Sequence, residues 1–307
     1  MNIAKFIFQM ACAFAVTVLA ASAPPNSSPE RYQTPPARND GWQTASADSV
    51  GFDSARLAAL TRSIRNWPEL GVHAILIERN GRLVYEEYFD GFDERWGQPL
   101  GPVSMTAESK HDLRSVTKSV VSALIGIAHG EGKIPSLDQP IIKWFPEYPE
   151  LDTAERRRVT LAHALSMTSG FEWNEDIPYT DPRNDEIRMT RDAQPLRYAL
   201  SRPFAVDPGA DFKYNGGLTQ VVAAVLVRAT KMSLQDYARV KLFEPLGITD
   251  VEWVGDLAGM PTLNTVVTIF AGRYNDFTSG NTLGRRILLD HIIPAVKTGV
   301  RTGCPGG

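Results

Sequence analysis

Two runs of alternating and β-branched residues, Val72-His-Ala-Ile-Leu-Ile-Glu78 and Leu83-Val-Tyr-Glu-Glu-Tyr-Phe89, flank the dipeptide Asn80-Gly81. Asn-Gly accepts positive φ at both central positions of a two-residue turn, the backbone shape that matches the right-handed twist of the flanking strands. The segment is therefore predicted to be an antiparallel hairpin, and a hairpin alone is marginal unless helices cover its apolar face. The rest of the chain supplies them. An amphipathic helix is predicted over Ser54 to Trp67 and another over Thr117 to about His129, ending at Gly130 and Gly132. From there to about Trp253 the pattern stays mostly helical: Thr160 caps a helix starting at Leu161, Gly170 breaks it, and 218–230 and 234–242 are amphipathic. Residues 171–193, rich in aspartate with two prolines, read as a long loop. A β run, Thr265-Val-Val-Thr-Ile-Phe-Ala271, and a helix from about Gly284 to Val296 close the chain. Strands, a helical middle, then strand and helix predict an α/β (α+β) protein in which a helical region is inserted into a sheet domain.

The ends carry other information. Phe6 to Ala20 is an apolar run behind a single lysine, and Ala20, Ala21, Ser22 and Ala23 offer small-residue cleavage sites. This is the pattern of a secretory signal peptide over 1–23, too short and Ala-rich for a stable membrane span, and it predicts a periplasmic or secreted product. Residues 24–50, rich in Pro, Ser, Asn and Thr, read as a flexible leader, with order beginning near Phe52. Of the two cysteines, Cys12 lies in the signal and Cys304 in the tail, so the processed chain has no internal disulfide and no multi-cysteine zinc site. The five histidines, His73, His111, His129, His163 and His291, are scattered without metal-ligand spacing, so no metal or cofactor is predicted. A net charge of -3 with no basic block gives no footprint for nucleic acid.

The chemistry candidate is Arg114-Ser-Val-Thr-Lys-Ser-Val-Val-Ser-Ala-Leu-Ile-Gly126, with Ser115 three residues before Lys118 at the head of an apolar run. On a helix these two side chains share a face. A serine hydroxyl needs a neighbouring base to take its proton, and a lysine can serve when burial disfavours its charged form. The helix N-terminus would add unpaired N–H groups and the positive dipole end for an oxyanion. Taken alone, the pentad reads equally as the capped first turn of a buried helix with a solvated lysine.

Flanking blocks give it context. "HDLRSVTKSVVSALIGIAHGEGKIPSLDQPIIKWFPE", "VTLAHALSMTSGFEW", "PGADFKYNGGLTQVVAAVL" and "LFEPLGITDVEW" follow one another over roughly residues 70 to 255. Together they resemble the serine beta-lactamase, penicillin-binding and esterase superfamily, and most of all its beta-lactamase-related hydrolases, including those that cleave aminohexanoate-type amides. The resemblance implies an antiparallel sheet with flanking helices and an inserted helical domain. It implies Ser115 as nucleophile, Lys118 as base and Tyr214 in the second box as proton shuttle. That box departs from the family's Tyr-x-Asn: here it is Tyr214-Asn215-Gly216, with asparagine moved forward and glycine at the third position. Asn215 and Gly216 are carried as substrate-binding candidates. Tyr179, in the 171–193 loop, is a candidate for the tyrosine that closes over substrate in the amide-hydrolysing relatives.

The family's third box is Lys-Thr-Gly on an edge strand. Lys297-Thr298-Gly299 occurs, but after the closing helix, and is read as a decoy; "TVVTIFAGRYND" resembles the family's last strand and "RRILLDHIIPAV" its C-terminal helix. By this alignment the segment with the third box is absent and the sheet is shortened, leaving the last strand to pair with the first. The domain map is 1–23 signal, 24–50 leader, 51–110 with 261–297 sheet domain, 111–260 helical domain and 298–307 tail. The expected function is an exported serine hydrolase acting on a small ester, amide or lactam without cofactor. The alternatives are a shortened, impaired relative acting as a binding protein, and a peptidoglycan D-alanyl peptidase.

Overall fold

A computed structural model describes residues 31–95, 98–255, 261–266 and 292–295. The predicted signal peptide, both cysteines, most of the predicted final helix and Lys297-Thr298-Gly299 lie outside the described residues.

The predicted hairpin is present as β2 (Ala74–Arg79) and β3 (Arg82–Tyr88), and Asn80 and Gly81 have φ of 53° and 75°. Pairing runs from Ala74↔Tyr88 to Arg79↔Arg82, with a bulge between Ile77 and Glu78. Helix α1 (Ser54–Arg65) begins at Asp53, whose carboxylate accepts from the amides of Ala55 (2.9 Å) and Arg56 (3.2 Å). Its buried face, Leu57, Leu60, Thr61 and Ile64, follows the helical period and covers Val84, Tyr85 and Ile77 of the hairpin. The buried Thr61 hydroxyl is satisfied within this core: Oγ1 lies 2.7 Å from the Tyr85 hydroxyl and 3.3 Å from the Leu57 carbonyl.

Two expectations change here. The leader does not end in flexible chain near residue 50. β1 (Gln43–Thr44) joins β3 in parallel, giving the sheet order β1-β3-β2, and Ala45, Ala47 and Val50 are buried on it. The Tyr32 hydroxyl donates to the Val84 carbonyl (2.7 Å) and accepts from the Ala47 amide (2.9 Å). Small apolar residues spaced among polar ones can dock an extended segment that composition alone reads as leader. The second change concerns the late β run. Thr265 and Val266 end β7 (Pro261–Val266), which pairs with β6 (Glu252–Gly255), not with the first strand; residues 267–271 lie outside the described set. A further pair, β4 (Gly91–Arg95) with β5 (Gln98–Val103), carries Pro99, Pro102 and Gly101 and gave no strand signal in the sequence.

The helical region has its own core. Helix α2 (Thr117–Gly130) buries Val121, Leu124, Ile125 and Ala128, one face of a 3.6-residue period. Against it lies α6 (Gly216–Thr230), buried on nearly all sides from Gly216 to Leu226. Each Val or Leu so enclosed contributes about 1.5–3 kcal/mol over its exposed state. Around α6 pack α3 (Leu161–Leu165), α5 (Pro195–Leu200) and α7 (Leu234–Ala238), the last continuing as a π-helical turn over Arg239–Phe243. Thr160 caps α3 as predicted, reciprocally with His163. The predicted long loop is interrupted by α4 (Asp185–Arg191), whose cap, Asn184, accepts from the amides of Glu186 and Ile187. With no run of aliphatics to mark it, this helix was legible only through its cap.

Candidate active site

Three segments meet at the N-terminus of α2. The first is the Ser115 turn, a 3-10 turn over Arg114–Val116 that feeds into α2. Arg114 has φ 47°, a left-handed conformation that costs an L-residue other than glycine about 1–2 kcal/mol. It is held there on both sides: its amide donates to Asp112 Oδ1 (3.3 Å), and its guanidinium pairs with the Asp112 and Glu94 carboxylates. Burial raises the Asp112 carboxyl above its ordinary range, against the opposing pull of Arg114. The strained turn leaves Ser115 exposed at the helix entrance, with Lys118 partly buried one turn on.

The second segment brings Tyr214. Its chain neighbour Lys213 is fixed by its amide to the Met167 carbonyl (2.9 Å) and by its ammonium to the Asp176 carboxylate. The Tyr214 hydroxyl donates to Ser115 Oγ at 2.6 Å, and Lys118 Nζ donates to the same oxygen at 3.0 Å. Lys118 Nζ also lies 4.8 Å from the centroid of the Tyr214 ring, so cation, ring and hydroxyl form one compact triangle. A hydroxyl oxygen flanked by an amine and a phenol has a proton acceptor and a proton donor within reach of one nucleophile. The third segment is β7, which packs against the Arg114–Val116 turn and α2. A strand thus does face the Ser115 turn, but its sequence is Pro-Thr-Leu-Asn-Thr-Val and carries no Lys-Thr-Gly.

Asn215 and Gly216 do not join this triangle. Asn215 is buried and is the N-cap of α6, its side-chain oxygen accepting from the Leu218 amide (3.1 Å). Gly216 donates its amide to Glu175 Oε2 (2.7 Å). A Cβ at Gly216 would stand 2.7 Å from Glu186 Oε2 and 3.1 Å from Glu175 Oε2, so the glycine in the altered second box is the residue that admits these carboxyls. Tyr179 is partly buried, and its hydroxyl donates to Glu175 Oε1 (2.7 Å). Burial, with Glu186 and Glu175 beside it, drives the phenol far above its ordinary range, so it acts as a fixed donor.

Sequence reasoning passed over Glu175 and Glu186. Glu175 also accepts from the Trp173 indole at 2.7 Å, and its carboxyl is hydrogen-bonded to that of Glu186. Burial alone would raise Glu175, but the bonds from Glu186, Tyr179, Gly216 and Trp173 outweigh it and hold the group below its usual range. Glu186 goes the other way, pushed up to about 8 first by burial and then by Glu175, with Lys118 opposing. The only signal in the sequence was position: Glu175 follows Trp173 in a block resembling the family's, and Glu186 follows a helix cap.

Two buried histidines, His73 and His111, are hydrogen-bonded to each other, His111 a few residues before the Ser115 turn. His73 Nδ1 lies 2.8 Å from His111 Nε2, and His73 Nε2 donates to the Phe92 carbonyl (3.1 Å). The ring centroids are 5.0 Å apart, so the facing nitrogens sit nearly on the line between the rings, and Asp93 Oδ1 lies 3.7 Å from His111 Nε2. Burial first, then the neighbouring His111, lowers His73 below the ordinary histidine value, with Asp93 and the Phe92 bond opposing.

The sequence profile of the Beta-lactamase family matches residues 60–277. A protein of Salmonella agona named for D-alanyl-D-alanine carboxypeptidase activity is 24% identical over 215 residues, 67% of this chain and 49% of its own length. Among solved structures, a beta-lactamase-like protein of Bacteroides dorei superposes with a TM-score of 0.52 at 21% identity, covering 78% of this chain and 64% of that one. A Bacillus anthracis protein named for 6-aminohexanoate-dimer hydrolase activity gives 0.50 at 19%, covering 73% and 56%. The chain spans about half the length of the curated relatives it matches. With the family profile running through the Ser115-x-x-Lys118 segment and Tyr214 alike, the chain belongs to the beta-lactamase family of serine hydrolases.

Proposed function

We propose that this protein is an exported serine hydrolase that opens a carboxylic ester or amide through an acyl-enzyme on Ser115. The observation that carries the reading is the convergence of Lys118 Nζ and the Tyr214 hydroxyl on Ser115 Oγ. With Lys118 as the free amine, the Ser115 proton passes to Nζ as Oγ adds to the carbonyl carbon. The tetrahedral oxyanion forms over the N-terminus of α2, where the dipole favours negative charge. Tyr214 hands a proton to the departing alkoxide or amine, the C–O or C–N bond breaks, and Lys118 reprotonates the phenol. Water then adds to the acyl-enzyme by the same path in reverse, releasing the acid and restoring Ser115. Esters and linear amides fit better than lactams, because the asparagine of the second box is turned inward as the α6 cap. Export rests on the apolar run and small-residue sites of residues 1–23.

The test is labelling by a fluorophosphonate probe and turnover of a chromogenic short-chain ester by the wild type and Ser115→Ala. Wild-type labelling lost in the variant supports the reading; equal labelling or turnover by both removes Ser115 from the reaction, and none by a folded wild type removes the reading in favour of an inactive binding relative. A second reading, a D-alanyl peptidase, is favoured by the name of the Salmonella relative. Release of D-alanine from a model peptide supports it, and esterase activity without that release excludes it.

A further inference from the structure

Two carboxyls hydrogen-bonded to each other need a proton between them, and the surroundings of Glu175 and Glu186 say which of the two carries it. Glu175 accepts from three other donors, Trp173 Nε1, Tyr179 Oη and the Gly216 amide, each at 2.7 Å. A carboxylate can take all of these, whereas a protonated acid would waste an acceptor on its own proton. Glu175 also lies at the N-terminus of α6, a helix of 15 residues whose dipole favours an anion there. The proton therefore belongs to Glu186, which donates to Glu175. Glu186 is faced by Glu175 and Tyr179 from the 171–184 segment, by Lys118 from α2 and by Gly216 at the head of α6.

This pair touches both halves of the site described above. Glu175 anchors the amide two residues after Tyr214, and so fixes the direction from which the phenol approaches Ser115. Glu186 stands within electrostatic reach of Lys118. We propose that Glu175 and Glu186 are a singly protonated positioning pair that aims Tyr214 through Gly216 and so sets the alkaline limit of the hydrolase reaction. The inference rests on the Ser115 hydrolase reading. Loss of the shared proton places two carboxylates side by side, which loosens the Gly216 anchor. The loosened anchor acts toward lower activity at high pH. The raised position of Glu186, about 8, places that loss just above neutrality.

The decisive variant is Glu186→Gln, whose amide still donates to Glu175 but does not titrate. With a chromogenic ester, wild-type kcat/KM is expected to fall about tenfold between roughly pH 7 and pH 9, and the Glu186→Gln ratio by less than about twofold. A variant that keeps the wild-type fall overturns the inference while leaving the hydrolase reading intact. A second readout is independent of turnover: the infrared carbonyl band of a protonated carboxyl in the Ser115→Ala protein. It should be present at neutral pH, vanish as pH rises through about 8, and be missing in Ser115→Ala/Glu186→Gln. A band that persists in the double variant, or never appears, refutes the pair even where ester hydrolysis is confirmed. A band that behaves as stated in a protein without esterase activity upholds the shared proton and refutes the hydrolase reading instead.

Discussion

The Tyr214 hydroxyl and Ser115 Oγ are 2.6 Å apart although 99 residues separate them in the chain. What brings them together is the packing of α2 on α6, since Ser115 enters one helix and Tyr214 precedes the other. Tyr214→Phe keeps the ring beside Lys118 and removes only the hydroxyl. Its kcat for a short-chain ester should fall about 100-fold, within the usual range for a general acid, with Tm unchanged to within about a degree. A kcat within twofold of wild type would take Tyr214 out of the reaction.

Asn215 offers a contrast. As the buried cap of α6 it should act on stability and not on substrate affinity. Asn215→Ala should lower stability by about 1 kcal/mol or more, read by thermal or urea unfolding, while KM moves less than about twofold. A raised KM at unchanged stability would return Asn215 to the substrate side.

Gly216 should tolerate no side chain while Glu186 keeps its length. Gly216→Ala puts a methyl 2.7 Å from Glu186 Oε2, and overpacking of this kind costs about 1–3 kcal/mol. Glu186→Ser in the same chain should recover part of that loss, a coupling that a double-mutant cycle of unfolding free energies measures directly.

At Arg114 the left-handed backbone and the ion pairs pull in opposite directions. Arg114→Ala loses the Asp112 and Glu94 contacts and keeps the strain, whereas Arg114→Gly loses the contacts and relieves it. The glycine variant should be more stable than the alanine variant by about 1 kcal/mol. Equal stabilities would show that the turn relaxes when its ion pairs are cut.

His73 should make the fold acid-sensitive. Its folded value lies below the unfolded 6.5, so the neutral form is the native one. The stability this contributes is present above 6.5 and is lost as pH falls through the folded value. Thermal unfolding between about pH 7 and pH 5 should show a steeper decline for the wild type than for His73→Gln; parallel curves would assign the acid loss to other groups.

Local chemistry was readable wherever a short stretch decides its own conformation. Asn80-Gly81 dictates its hairpin because only such residues accept the turn's positive φ, and Asp53 and Thr160 mark helix starts because their side chains satisfy nearby amides. The face Val121, Leu124, Ile125, Ala128 follows from the 3.6 period alone, as does the shared face of Ser115 and Lys118. The strands β4 and β5, with their prolines and glycines, were not legible because a local pattern cannot record a partner found elsewhere. The same holds for β1, which becomes a strand only by docking on β3.

The sequence by itself thus determined the hairpin, several helix starts and the placing of Ser115 and Lys118 on one helix face, all consequences of neighbours in the chain. Tertiary structure alone decided that Tyr214 meets Ser115, that Asn215 turns inward, and that Tyr179 is spent on Glu175. It also decided that Glu175 and Glu186 share a proton beside Lys118. Those outcomes depend on which distant surfaces bury one another, and the charge state of a carboxyl follows from the burial and donors it meets there.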